Sequence, residues 1–154
     1  MPEIERKFRL ADVPSTSILC SGTLILQGYV LTHPGELRLR RKGEQSYLTV
    51  KSGGGLTRDE WESELPSWVF DALWSATEGR RIEKTRYSVP HGMFTLEIDI
   101  YHASLSGLVT LECEFTTEDT ASTFQLPPWA IDAVDVTVDS AYKNKNLALH
   151  GLPA

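Results

Sequence analysis

The 154-residue chain has only two cysteines, Cys20 and Cys113. A multi-disulfide framework is excluded, one disulfide is possible but unsupported, and the distance between them in sequence matches no metal-binding spacing. Cys113 is expected to pack as a small apolar residue on its strand, and Cys20 to lie in or near a loop. No apolar run approaches the ~20 residues of a membrane span. No signal-peptide pattern precedes the first charged residues, so a cytoplasmic protein is expected. Basic residues are also in short supply: 15 Lys and Arg face 21 Asp and Glu, for a net charge of −6. A non-specific nucleic-acid binder usually carries a basic footprint, so nucleic acid is not an expected partner. There is no repeat, low-complexity tract or linker, and residues 1–154 read as one domain.

Familiar site motifs are missing as well. Gly53-Gly54-Gly55 is followed by neither Gly-Lys-Ser/Thr nor a helix signal, so a flexible hairpin is expected rather than a P-loop. His33, His91, His102 and His150 are scattered near turns or ends, with no partner at metal or triad spacing, and read as exposed. No nucleophilic Ser or Cys is in evidence.

What is present is charge in strict alternation. Glu3, Glu5 and Lys7 alternate with Ile4, Arg6 and Phe8. Residues two apart on a strand share a face, about 7 Å from one another. The pattern recurs in Arg38 and Arg40, in Thr49 and Lys51, in Glu60 and Glu62 around Trp61, in Lys84 and Arg86, in Glu97 and Asp99, and in Glu112 and Glu114. Each of these strands carries mostly one sign. A face selected only for solubility intersperses signs, because like charges side by side are mildly destabilising. The opposite face is apolar, with Phe8, Leu39, Leu96, Ile98, Leu111 and Phe115 among its members, and must pack against something.

Alternation predicts eight strands, at about 2–10, 23–31, 36–42, 46–51, 58–65, 81–89, 93–101 and 108–116. Helices are expected at 67–77 after a Ser67 cap, at 118–124, and in the tail from about 140 to 149. Segment 11–22 is loop or short helix. The class is α+β. An eight-stranded antiparallel sheet tends to curl or close. A closed barrel with the three helices on its apolar outside would enclose the charged face. Buried unpaired charges cost several kcal/mol each, so such an interior makes sense with a polyanion and metal ions inside.

Taken together, Glu3-x-Glu5-x-Lys7, Arg38-x-Arg40, Lys51, Glu60-x-Glu62, Lys84-x-Arg86, Asp99 and Glu112-x-Glu114 resemble the CYTH proteins, or triphosphate tunnel metalloenzymes. The resemblance runs from residue 3 to Tyr142-Lys143-Asn144. The stretch 78–87 looks most like the short bacterial members that hydrolyse inorganic tripolyphosphate. The resemblance implies an eight-stranded tunnel, a triphosphate substrate and Mg²⁺ or Mn²⁺, with two ions per site.

Arg suits a phosphate chain through its forked donors, and Lys as a point charge. Lys7, Arg38, Arg40, Lys51, Lys84 and Arg86 are therefore the expected substrate cradle. Glu3, Glu5, Asp99, Glu112 and Glu114 are the expected metal ligands. The resemblance places the first and last strands side by side, which would gather four of these glutamates. Glu60 and Glu62 are expected to orient the basic residues or hold metal-bound water. The expected catalytic residues are Lys84, Glu5 and Glu114, with water activated by metal. Rival readings on the same fold are a nucleoside or thiamine triphosphatase and a class IV-type adenylate cyclase. A non-catalytic polyphosphate-binding module is the rival of another class. Either a monomer or a homodimer is compatible with the sequence.

Overall fold

A computed structural model of the protein describes residues 4–52 and 59–154. Strands β1 (Ile4–Arg9), β2 (Gly22–Leu31), β3 (Glu36–Lys42), β4 (Gln45–Lys51) and β5 (Glu60–Leu65) precede helix α1 (Ser67–Trp74). Strands β6 (Arg81–His91), β7 (Phe94–Tyr101) and β8 (Val109–Phe115) follow, then α2 (Glu118–Thr123), the two-residue β9 (Val134–Asp135) and α3 (Asn144–His150). All eight expected strands are present, with ends shifted by a few residues. Segment 11–21 contains neither helix nor strand. Ser67 is the first helical residue rather than a cap; Pro66 precedes it, and no side chain caps that end.

Every neighbouring pair is antiparallel, in the order β5-β4-β3-β2-β6-β7-β8-β1-β9. Among the described residues the sheet has nine strands where eight were expected, and no ladder joins its ends, β5 and β9. The ninth strand is too short to carry a further ladder. After Val136 N–H reaches the Lys7 carbonyl at 2.9 Å, the Thr137 hydroxyl takes over, accepting from Lys7 N–H at 3.0 Å. The sheet nevertheless curls far enough for β5 and β1 to line one cavity. Glu60, Glu62 and Glu64 along the β5 edge discourage pairing with another chain.

The outer face carries the main core. Phe8, Leu96, Ile98, Leu111, Cys113 and Phe115 are buried there with Ala121 of α2, Phe124 and Ala130. The Phe94 and Phe115 rings meet Phe124 edge-on, with centroids 5.7 Å and 5.2 Å away. Helix α1 packs behind β2 where Gly28 leaves room: a Cβ at Gly28 would lie 2.6 Å from Thr77 and 2.8 Å from Trp74. Trp61 is exposed rather than packed under a helix.

Helix α3 departs from the expected arrangement. Its Leu147 and Ala148 pack with Tyr29, Ile82, Tyr101, Leu105, Leu108, Val136 and Tyr142. Tyr29, Ile82 and Tyr101 lie two residues along from Gln27, Lys84 and Asp99, and so share the inward face. The tail therefore fills one end of the interior instead of covering the outside. Its apolar stripe satisfies either placement; the apolar inward residues Tyr29, Ile82 and Tyr101 decide between them.

Candidate active site

The curled sheet encloses a cavity of about 550 Å³. Alternation on each strand sends every second side chain into it. It is lined by Glu5 and Lys7 of β1, Arg38 and Arg40 of β3, Lys51 of β4, and Glu60 and Glu62 of β5. Lys84 and Arg86 of β6 and Glu112 and Glu114 of β8 complete the set of expected residues found there. Asp99 lies behind this surface, and Glu3 falls outside the described residues.

Register explains the grouping. Glu5 faces Glu114 and Lys7 faces Glu112 across β1 and β8, while Glu112 also faces Glu97 across β7. Acid thus gathers on the β7-β8-β1 wall. Arginine and lysine occupy β3, β4 and β6.

The floor is a buried ionic cluster. Lys84 Nζ lies 2.8 Å from Asp99 Oδ2, and Arg86 donates from Nε and Nη2 to the two Asp99 oxygens, both at 2.8 Å. Arg86 Nη1 also meets Glu97 Oε2 at 2.8 Å. Burial by itself would raise the Asp99 carboxyl. The Lys84 charge and the Arg86 hydrogen bonds outweigh it and hold the group well below the usual carboxylate range. Burial pushes the Lys84 ammonium down; Asp99 opposes the shift and Arg86 adds to it. For Arg86, burial is outweighed by Asp99 and Glu97, which hold the guanidinium above its ordinary value.

Asp99, expected as a metal ligand, is held by cations in this geometry. Both of its oxygens already accept from cations and it is fully buried, so it is committed to Lys84 and Arg86 rather than facing the cavity. Register is the cause: Asp99 sits directly opposite Arg86 on the neighbouring strand. Of the four glutamates expected to gather, Glu3 lies outside the described residues, and Glu5, Glu112 and Glu114 line the cavity together. Glu112 is 3.4 Å from Lys7 Nζ, which donates to the Tyr142 carbonyl at 2.5 Å as well. Among the described residues no three His, Cys, Asp or Glu side chains converge to hold an ion unaided. The donors present still fit a hard divalent cation. Glu5 and Glu114 supply opposed carboxylates, and Mg²⁺ commonly takes one or two carboxylates and completes its shell with water and phosphate oxygens.

The β3 arginines are less satisfied. Nε of Arg38 and Nε of Arg40 are buried without a hydrogen-bond partner among the described residues. Burial pushes the Arg40 guanidinium down, Arg86 and Arg38 add to the shift, and Asp99 and Glu62 oppose it. Native proteins rarely leave buried donors unmatched, and orphaned guanidinium donors side by side mark a place for an anion.

Residues 1–149 match the CYTH domain family. The chain belongs to that family. An inorganic triphosphatase of Nitrosomonas europaea is 46% identical over 153 residues, covering 97% of this chain and 98% of that one. An inorganic triphosphatase of Acetivibrio thermocellus is 35% identical over 148 residues, covering 94% and 92%. The crystal structure of the inorganic triphosphatase NE1496 superposes with a TM-score of 0.80 at 41% identity, covering 100% of this chain and 98% of that one.

Sequence reasoning missed several lining residues of this CYTH domain. Glu97 shares the phase of Asp99, and that phase was its available signal. Gln27, 1% exposed, donates to the Tyr29 hydroxyl at 2.9 Å; a neutral residue in an apolar strand gave no signal. Val136, Thr137, Asp139, Tyr142, Lys143 and Asn144 reach the cavity from a segment with no alternation. Two histidines also differ from expectation. His102 is half-buried and 2.7 Å from the Thr85 hydroxyl, and His91 is half-buried and 3.1 Å from the Gln125 carbonyl.

Proposed function

We propose that this cavity binds inorganic tripolyphosphate and hydrolyses a terminal phosphoanhydride bond, with Mg²⁺ or Mn²⁺, two ions per site. Water adds to the terminal phosphorus, the bridging P–O bond breaks, and the products are orthophosphate and pyrophosphate. The observation that carries this reading is the pair of orphaned Nε donors on Arg38 and Arg40, beside Arg86, in a cavity whose other wall is acidic. Two relatives named inorganic triphosphatases, each aligned over nearly the whole chain, support the same substrate.

Arg38 and Arg40 bind phosphate oxygens through forked donors, and Lys51 and Lys7 add point charges. Lys84 and Arg86 are fixed by Asp99, so they meet the developing charge without reorganising. Lys84 acts as a cation: its ammonium is held against an ionised carboxylate. Glu5 and Glu114, with Glu112 and Glu97 beside them, form the wall that would hold the ions. When bound, the metal supplies charge neutralisation and acidifies water. Phosphoryl transfer needs positioning and electrostatics more than covalent help from the protein.

Tyr142 is the one aromatic among the described lining residues, and it is buried in the apolar cluster under α3. That leaves no ring for a nucleobase to stack on and favours the inorganic substrate over ATP. A binding module without catalysis would gain nothing from an acidic wall facing its anion. Either a monomer or a homodimer would serve. A cytoplasmic setting agrees with two free cysteines, Cys20 exposed and Cys113 buried. Phosphorus NMR of a reaction with Mg²⁺ tests the chemistry. Pyrophosphate and orthophosphate should appear in equal amounts; orthophosphate alone from the start, or no product, overturns the proposal.

A further inference from the structure

We infer that Thr49 is a positioning residue for substrate: it aims Arg38 at the phosphate chain. The inference rests on the tripolyphosphate reading of the cavity and adds a residue that does not itself line it. Arg38, Thr49 and Glu62 lie directly opposite one another across β3, β4 and β5. The Thr49 hydroxyl donates to Glu62 Oε2 at 2.6 Å and accepts from Arg38 Nη2 at 3.3 Å. The direct Arg38–Glu62 pair is looser, at 3.7 Å.

Burial separates these partners. Thr49 is 1% exposed, whereas the Glu62 side chain is 48% exposed on an edge strand. An exposed carboxylate at that distance holds an arginine weakly and is screened by salt. The buried hydroxyl is the rigid member. It fixes one Glu62 oxygen and occupies Arg38 Nη2, while Nε of Arg38 stays buried and unpartnered. Nη2 is thereby committed to Thr49, and Nε is the donor left for an anion. Such preorganisation lowers the cost of ordering a long side chain on binding. A threonine is suited to the task, since one oxygen both donates and accepts and the β-branched stem favours a strand.

Equilibrium binding of tripolyphosphate, measured by calorimetry in chelator so that no turnover competes, tests the inference. Thr49→Val keeps shape and strand preference but removes the hydroxyl, and Thr49→Ser restores it. Thr49→Val should weaken binding about 5- to 10-fold, the scale of one ordinary net hydrogen bond. Thr49→Ser should stay within about twofold of wild type. In an Arg38→Ala background the Thr49→Val penalty should shrink below about twofold, since a positioning residue matters only through what it positions. Unchanged affinity in Thr49→Val overturns the inference, as does a full penalty that persists without Arg38. Wild-type protein that binds tripolyphosphate but never hydrolyses it defeats the proposed reaction and leaves the Thr49 result to stand by itself. Wild-type protein that does not bind it defeats both.

Discussion

Lys84 Nζ and Asp99 Oδ2 are 2.8 Å apart, and each side chain is 1% exposed. Removing one partner of such a pair leaves the other charge stranded in a poor solvent for it. Asp99→Ala strands two cations, Lys84 and Arg86. It should cost about 3–5 kcal/mol of stability. Chemical denaturation checks this; a loss under about 1 kcal/mol would mean that water or Glu97 replaces the carboxylate.

The same carboxyl sets a pH dependence. Its folded pKa lies below its ordinary value of 3.8. A depressed carboxyl contributes stability that is fully present above the unfolded pKa and is lost as pH falls toward the folded one. Asp99 should therefore contribute no slope between pH 5 and 7, and a decline in Tm should set in below about pH 4. Asp99→Asn should be less stable at pH 7 and show a shallower acid decline. An identical acid decline in both proteins would remove Asp99 as its source.

Arg40 presents the opposite case, a cation that costs stability to keep. Its guanidinium is pushed down by burial and by two neighbouring arginines. Arg40→Met should raise stability by on the order of 1 kcal/mol and weaken tripolyphosphate binding at least about 10-fold. Thermal melting and calorimetry on one preparation measure both effects. A variant that loses stability, or binds as wild type does, contradicts the reading of Arg40 as a vacant anion ligand.

The strands, and the side of each that lines the cavity, were legible in the sequence because a period of two leaves no freedom: once Leu39 points to the core, Arg38 and Arg40 point away. Depth along a strand was not legible. Glu97 and Asp99 share a phase, yet one lines the cavity and the other is locked beneath it. The difference comes from Arg86 lying opposite Asp99 on β6, and register across strands is not written in either strand alone. The tail was ambiguous for a different reason. Leu147 and Ala148 need a buried surface, and both faces of this sheet offer apolar ground.

Glu5 and Glu114 oppose one another across β1 and β8. Like charges in that position repel by a few tenths of a kcal/mol up to about 1 kcal/mol. Glu5→Gln and Glu114→Gln each relieve this repulsion, and Glu114→Gln should leave the apo protein as stable or slightly more so. Turnover at limiting Mg²⁺ should fall at least about 100-fold, the scale of disturbing a metal's immediate surroundings. Near-normal turnover of both variants would remove the β1-β8 wall as the ion-holding surface.

For Lys84, charge and proton transfer make different demands. Arg carries charge but stays protonated. Lys84→Arg should keep activity within about 10-fold of wild type, and Lys84→Ala should lose at least about 100-fold. Equal, deep losses in both variants, with native melting behaviour, would assign Lys84 a proton-handling role instead.

The most direct test is phosphate release from tripolyphosphate and from ATP, each with Mg²⁺ and after chelation. Tripolyphosphate should be hydrolysed with the higher kcat/KM, and release should stop in chelator and return when Mg²⁺ is restored. An ATP value equal to or above that for tripolyphosphate, or release that persists without metal, would contradict a metal-dependent inorganic triphosphatase.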